Sequence, residues 1–428
     1  MIDIYPYNAS TPANCPRCGA ESKDAGELFF QGTHVLAEQN CSDCGLDFYV
    51  TLPIGHAALY PVVCARDGRY ARYNRQEGSW MALPLIRSFQ KDAGAEVEIA
   101  LLQPNPGGEL LLVNCLDSCF GHVFTKLWNV YLLKKQYPFK TLAVLLPARC
   151  CWLITDSEVE IWSVDLPLEE LGKGVQGLDA WVKEQFKRFA SVALSEVPVH
   201  PPLEGLDVDE ILQARPFDLE DFEKLPLQLT FIWRSDRFWL NSRLLDLLYK
   251  ASIKFGFQFL VRDMICFRQV HLLGRLRKRI QNALPEARFL VTGLNTSARF
   301  PKGWEDERVP HIVESVERRW NEIFRTSQVV IGVHGSHMLI PTALAAGFVE
   351  ILPRHKVPHL TEDIGQQHGG RLGPFLGRFV DEFSSPRLVA HHVLSMVKGF
   401  GRVYGADCME VQKKQKAIGV EREAFNYW

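Results

Sequence analysis

The sequence predicts an α/β protein in which two parallel-sheet domains follow a small metal-binding unit. Three observations lead to this fold class. Two CxxCG motifs lie within residues 1–50, short apolar strands alternate with helical segments after them, and a Pro- and acid-rich stretch interrupts that alternation. Alternating strands and helices form parallel sheets whose faces the helices cover. We therefore expect one α/β domain at 51–200, a linker at 201–226 and a second α/β domain at 227–428.

The composition is that of an ordinary globular protein. The chain has 428 residues, of which 47% are hydrophobic and 23% charged, and its formal net charge is −2. This charge gives no support for a dedicated nucleic-acid binder. We find no signal peptide in the first residues and no apolar run near the ~20 residues of a membrane span. The prediction is a cytoplasmic protein without a transmembrane segment, for which peripheral membrane association stays open.

The amino-terminal unit, residues 1–50, carries a metal-binding pattern. Cys15 and Cys18 form one CxxCG motif, and Cys41 and Cys44 form the other. Each motif presents two thiolates on a tight turn, and four thiolates complete the closed tetrahedral shell of a structural Zn²⁺ site. An iron site or a redox pair is the alternative interpretation. A zinc ribbon of this kind braces its neighbour or contacts a protein partner.

The first α/β domain places two candidate bases after one of its strands. Strands are predicted at 96–102, 109–114, 142–146, 158–164 and 191–197, and helices at 123–135 and 178–188. Asp117 and His122 follow the second strand, and ligands of open α/β sheets bind at such strand ends. Either side chain can remove a proton from an acceptor hydroxyl. Alternatively, Asp117 caps the next helix and His122 only bonds the backbone.

The second α/β domain places charged side chains at the same kind of position. Strands are predicted at 227–233, 257–261, 288–292, 329–333 and 348–352, and helices at 242–253, 270–283, 312–324, 337–346, 386–398 and within 409–428. Arg234, Asp236 and Arg237 follow the first strand, and Asn295 follows the third. A guanidinium group there can bind a diphosphate. The alternative is an ion pair with Asp236 or with an acid of the linker.

The segment 329–353 reads as a strand, a small-residue turn, a helix and a strand. The turn is His334, Gly335 and Ser336, and small residues at a helix start expose N–H groups that bind anions. His334 can donate to a phosphate or ribose oxygen, or serve as a structural donor. Glu350 can accept hydrogen bonds from sugar hydroxyls, or contact solvent at the strand edge. We interpret the turn as a phosphate-binding element.

These segments resemble glycosyltransferases of the GT-B type, which have two Rossmann-like domains facing across a cleft. NCLDSCFGHVFTKLWNVYLLKKQYPFKTLAVLLP is similar to the amino-terminal loop, helix and strand of fucosyltransferase-like enzymes. FIWRSDR resembles their donor-diphosphate segment, with Arg234 at the matching position. VVIGVHGSHMLIPTALAAGFVEILP is similar to the His-Gly-Ala-Gly donor segment of enzymes that transfer xylose or N-acetylglucosamine, with His337 replacing the second Gly. The resemblance spans residues 109–355.

The resemblance implies a hexosyl- or pentosyltransferase with metal-independent catalysis and a structural zinc ion. A nucleotide-diphosphate sugar would bind to the domain at 227–428, and a carbohydrate or protein acceptor would bind to the domain at 51–200. Two other functions stay open. One is a different nucleotide-sugar enzyme, such as an epimerase. The other is a non-catalytic scaffold that binds a protein partner through its zinc ribbon.

Overall fold

The computed structural model describes residues 1–418 apart from 5–7, 23–24, 91–96, 106, 201–206, 235, 295–297 and 366–367. The chain forms two compact units, Met1–Asp207 and Val208–Trp428. Each unit contains an α/β sheet of its own. The division falls inside the segment that the sequence predicts as a linker, and residues 208–226 fold with the second unit.

An antiparallel sheet carries the cysteine motifs at the start of the first unit. Its strands, in spatial order, are Asn8–Ser10, Ala25–Phe30, Val35–Asn40, Asp47–Thr51, Val63–Ala65 and Ala71–Arg72. A small hairpin of Ala13–Asn14 and Glu21–Ser22 flanks the first CxxCG motif. The helix Ser79–Ser88 packs its buried face against the sheet. The antiparallel sheet therefore continues past residue 50.

The α/β sheet of the first unit has four parallel strands between two antiparallel edge strands. In spatial order its strands are Ile2–Asp3, Ser191–Leu194, Glu109–Asn114, Thr141–Pro147, Glu160–Val164 and Ile99–Leu102. The helices of this part are Phe120–Gln136, Leu168–Leu171 and Leu178–Phe186. The strand predicted at 96–102 begins at Ile99, and residue 96 lies outside the described residues. The strand order of the sheet reverses between Glu109–Asn114 and Ser191–Leu194. In open α/β sheets a ligand-binding crevice forms at such a switch point.

The sheet of the second unit is entirely parallel. In spatial order its strands are Glu305–Asp306, Arg288–Gly293, Gln228–Trp233, Val329–Val333, Gly347–Leu352 and Gly377–Asp381. Counted along the chain this order is 3-2-1-4-5-6, which is the order of doubly wound dinucleotide-binding sheets. The order reverses between Gln228–Trp233 and Val329–Val333. Every residue of these two strands is buried, because helices cover both faces of such a sheet.

The helices of the second unit correct two predictions from the sequence. The helices are Val208–Leu212, Arg243–Lys254, Gln258–Gln281, Glu314–Phe324, Leu339–Leu344, Leu372–Leu376 and Pro386–Ile418. The strand predicted at 257–261 is wrong, because residues 258–261 belong to the helix Gln258–Gln281. A short apolar run does not by itself distinguish a strand from a helix. The helix predicted at 386–398 instead continues to Ile418, so it includes part of the separate helix expected within 409–428. Residues 419–428 lie outside the described part.

The βαβ segment at 329–353 also differs in detail from its prediction. A 3₁₀ turn, Ser336–Met338, precedes the α-helix Leu339–Leu344, so the helix is shorter than the predicted 337–346. Ala345 is already extended, and Gly347 begins the next strand.

Among the described residues, the structure contains no helix with both the length and the apolar character needed to cross a membrane.

Candidate functional site

Four cysteines of the amino-terminal sheet lie close together. The Sγ atoms of Cys15 and Cys44 are 3.7 Å apart, and those of Cys18 and Cys41 are 3.4 Å apart. All four sulfur atoms lie within 4.8 Å of one another. Around a tetrahedral Zn²⁺ with Zn–S bonds of about 2.3 Å, sulfur atoms are about 3.8 Å apart. The cluster could therefore hold a metal ion such as zinc.

Glycines shape the two turns that present these thiols. Gly19 and Gly45 have φ values of +87° and +66°, which glycine adopts without strain. The Gly19 N–H donates to the Cys15 carbonyl over 3.0 Å, and the Gly45 N–H donates to the Cys41 carbonyl over 2.8 Å. The sequence therefore folds each motif into a closed turn that directs both thiols of the pair towards the other pair.

Two arginines lie at the switch point of the second sheet. Arg234 follows the strand Gln228–Trp233, and its Nε donates to Asp236 Oδ1 over 2.6 Å. The Arg234 guanidinium also contacts Nδ1 of His337. Arg237 donates from Nη1 to the His334 carbonyl over 3.1 Å. Both guanidinium groups thus lie next to the turn that follows the strand Val329–Val333.

Gly335 has a backbone conformation that favours glycine, and its lack of a side chain leaves room for both arginines. Its φ is +151°, and a Cβ atom placed on it would lie 2.2 Å from Nη1 of Arg237 and 3.2 Å from Nη1 of Arg234. Both guanidinium groups therefore lie against the Gly335 backbone. The α-helix Leu339–Leu344 has only six residues, so its dipole is small. The positive charge at this turn comes from the arginines more than from the helix that the sequence analysis relied on.

A buried acid–base pair, His334 and Glu350, lies next to the same turn, of which His334 is the first residue. His334 and Glu350 are both fully buried, and Nδ1 of His334 bonds Oε2 of Glu350. Nε2 of His334 lies 3.3 Å from Oδ2 of Asp363. Burial raises the pKa of Glu350 to about 7 despite the His334 ring. Burial would lower the pKa of His334, but Glu350 and Asp363 outweigh it and raise that pKa.

The structure places most of the sequence-predicted donor-site residues together. Arg234, Asp236 and Arg237 adjoin the turn that contains Gly335 and Ser336. His334 and Glu350 lie beneath this turn, and Asn295 lies outside the described residues. Asp363 and His337 were missed by the sequence analysis as site residues. Nothing in the local sequence distinguishes Asp363 from an ordinary acidic residue of a loop.

The loop after Glu109–Asn114 in the first unit holds a buried ion pair. Oδ2 of Asp117 lies 2.9 Å from Nζ of Lys126, and Oδ1 lies 3.1 Å from Nδ1 of His122. Burial would raise the pKa of Asp117, but Lys126 and His122 outweigh it and hold that pKa well below its usual range. These two partners therefore favour the ionised form of Asp117. Its Oδ1 also accepts the Cys119 N–H, so it bonds the start of the next helix as well.

His56 completes this cluster and was missed by the sequence analysis. Its ring centroid lies 4.4 Å from that of His122 and 4.8 Å from that of Trp80. Burial and the neighbouring His122 lower the pKa of His56 to about 3. A pocket of about 40 Å³ beside the cluster is lined by Asp117 and Lys126 among others, and it has room for only one or two waters.

His56, Asp117 and His122 also offer three metal-ligand atoms within 4.8 Å of one another. Two imidazoles and a carboxylate suit several divalent metals. However, the ammonium of Lys126 already neutralises Asp117 and would repel a cation. The arrangement therefore favours proton chemistry over metal binding.

Comparisons with known proteins leave the family open. No family model matches the chain, and no curated protein matches it. Among solved structures, the chain is similar to Spinosyn Forosaminyltransferase SpnP with 13% sequence identity and a TM-score of 0.24. That similarity covers 67% of this chain and 66%, just under two thirds, of the other. A TM-score of this size is no basis for an argument, so any function must be argued from the chain's own sheets and side chains.

The metal site predicts a specific effect of removing one thiol. The Cys44→Ser variant should bind much less zinc and should melt at a lower temperature, because structural zinc stabilises the fold that binds it. Metal analysis by plasma mass spectrometry and a thermal melt measure both effects. Cys151→Ser is the control, since Cys151 lies outside the cluster. Equal zinc content in the two variants would contradict the site.

The His334–Glu350 pair predicts how stability depends on pH. The pKa of Glu350 is 4.5 ordinarily and about 7 in the fold, so the folded chain binds more protons than the unfolded chain between these values. The free energy of unfolding should therefore fall as the pH rises from about 4.5 to about 7, and the contribution of Glu350 should level off above that. The raised pKa of His334 acts in the same direction, because its contribution is lost as the pH rises through the folded value.

Denaturant titrations at several pH values test this linkage. The Glu350→Gln variant should lose most of the decline in unfolding free energy, because an amide does not titrate. Glu286→Gln is the control, as Glu286 is an exposed carboxyl in the same unit. An unchanged slope in Glu350→Gln would show that the buried pair does not control the pH dependence.

Proposed function

We propose that the chain is a glycosyltransferase that moves a sugar from a nucleotide-diphosphate donor to an acceptor hydroxyl. The observation that carries this proposal is the placement of Arg234 and Arg237 over Gly335 at the switch point of the second sheet. Ligands of open α/β sheets bind in the crevice at such a point. Two adjacent guanidinium groups match the charge and the geometry of a diphosphate.

The diphosphate would replace the present partner of Arg234. The side chain of Asp236 is 59% exposed, so it can turn into solvent when another anion binds Arg234. A diphosphate carries more charge than one carboxylate and can take over the same guanidinium. In the reaction, Arg234 and Arg237 would offset the charge of the departing nucleotide diphosphate. In this proposal catalysis needs no metal ion, and a metal on the four cysteines is structural.

The buried pair would support donor binding indirectly. His334 and Glu350 are fully buried against each other, so we assign them to holding the turn rather than to contacting sugar hydroxyls. Arg237 bonds the His334 carbonyl, which links the pair to the guanidinium groups. Ser336 belongs to the same turn and is the residue we expect beside the phosphates. A donor contact from Asn295 stays a prediction.

His122 would be the base that deprotonates the acceptor. Asp117 is held as a carboxylate by Lys126, and a carboxylate with a strongly lowered pKa is a poor proton acceptor. Asp117 instead accepts the Nδ1–H of His122, which leaves Nε2 able to take a proton. We therefore assign the base to His122 and a positioning role to Asp117. The acceptor can be a carbohydrate or a protein hydroxyl.

The donor site predicts nucleotide binding that depends on Arg234. Calorimetry with UDP-, GDP- and CDP-sugars should find one base that binds, and Arg234→Ala should weaken its binding about tenfold or more, because a charge-assisted hydrogen bond to phosphate is lost. Arg319→Ala is the control, since Arg319 forms an exposed ion pair with Glu307. Absence of binding by the unaltered chain would favour the scaffold alternative.

The assignment of the base predicts a separation of binding from turnover. His122→Gln should lower kcat by about 10²- to 10⁴-fold and leave donor affinity unchanged, because glutamine cannot accept the proton. Steady-state kinetics and calorimetry measure the two quantities, with the exposed His311→Gln as the control. Asp117→Ala is less informative, because it leaves the buried ammonium of Lys126 unpaired and destabilises the fold. Turnover within twofold of the unaltered chain would exclude His122 as the base.

A further inference from the structure

The helices Arg243–Lys254 and Gln258–Gln281, which we call the helical hairpin, expose an unusual number of apolar side chains. Nine of the 21 large hydrophobic residues that are exposed among the described residues lie between positions 244 and 267. The most exposed are Leu244 at 77%, Phe267 at 73%, Phe255 at 71%, Phe259 at 69%, Leu260 at 68% and Leu247 at 64%. Large exposed apolar patches mark interaction surfaces.

These residues share helix faces. Leu247 and Leu248 lie three and four positions after Leu244 on the first helix. On the second helix, Leu260, Met264 and Phe267 follow one another at intervals of four and three. The opposite side of the second helix is fixed in the core. Its buried residues there are Ile265, Cys266, Leu272, Leu273, Leu276 and Ile280. Core packing therefore holds the apolar outer face away from the protein.

The helical hairpin also carries a strong positive charge. Residues 243–268, which include all nine exposed apolar residues, contain five Lys and Arg against two Asp and Glu, and four more Lys and Arg follow at 275–279, although the whole chain has a net charge of −2. One of the acids, Asp246, already pairs with Lys250 over 2.7 Å. Lys254 and Arg262 are exposed among the apolar residues. The surface is thus apolar and cationic together.

We propose that the helical hairpin docks on an anionic lipid membrane. Leu244, Leu247, Phe259 and Leu260 would insert at the boundary of headgroups and acyl chains, and the surrounding cations would bind lipid phosphates. Charge favours this occupant over a second copy of the chain, because two such faces would bring like charges together. The proposal does not depend on the proposed function, since the helical hairpin can dock whatever the switch-point site binds.

Vesicle flotation tests the docking with the full-length chain. The protein should float with phosphatidylcholine vesicles that contain about one third phosphatidylglycerol, and much less with pure phosphatidylcholine vesicles. Binding should fall as salt rises, because salt screens the cations. The double variant Phe259→Glu/Leu260→Glu should reduce the partition coefficient about tenfold or more. Phe139→Glu is the matched control, since Phe139 is 97% exposed in the first unit.

A second double variant distinguishes a loss of membrane binding from a loss of the fold. Lys254→Glu/Arg262→Glu alters only exposed cations, and it should weaken binding to the anionic vesicles without affecting the melting temperature. Failure of the unaltered chain to float with anionic vesicles would overturn the proposal. A second result would also overturn it: the unaltered chain is dimeric by light scattering and does not float, and the Phe259→Glu/Leu260→Glu variant is monomeric. In that case the apolar face would bind a second copy of the chain.

Discussion

The parallel pairing of Gln228–Trp233 with Val329–Val333 determines what the second unit can bind. Leu229 lies opposite Val329 in this pairing, so both strands end at the same edge of the sheet. The chain leaves these strands for opposite sides, and the crevice between them stays open to a ligand. Arg234 directly follows the first strand and Gly335 lies two residues after the end of the second, which is why residues about a hundred positions apart meet there. The phosphate-binding hypothesis depends on this one register.

The two switch points contain buried carboxylates with opposite protonation behaviour. Asp117 forms an ion pair with Lys126, so the cost of burying the carboxylate is offset and its pKa falls. Burial raises the pKa of Glu350 to about 7, because the imidazole of His334 lowers it too little to offset burial and the nearby Asp363 raises it further. Asp117 is thus suited to orient a neighbouring base. The Glu350 pair is suited to stabilise a turn, with a stability that depends on pH.

The sequence predicts those parts of the fold that have a local signal. The strands around Val329 and Gly335 were predicted because a β-branched run followed by a small-residue turn is a contiguous pattern. Lys126 had a signal that was overlooked, since it lies four positions after His122 and therefore on the same face of the helix. His56 had none. It reaches the cluster through the 3₁₀ turn Gly55–Ala58, whose Gly55 N–H donates to the Val197 carbonyl, a contact that only the folded chain defines.

The one strand predicted wrongly, at 257–261, has the same physical origin as the proposed membrane surface. A helix is recognised because polar residues interrupt its apolar stripe every three or four positions. In Gln258–Gln281 the outer face is apolar at Phe259 and Leu260 in addition to the buried inner face, so the interruption disappears and a short run resembles a buried strand. Functional or strained sites are where local sequence rules are expected to fail. The failure of the periodicity here is therefore an argument that this outer face is selected to contact something apolar.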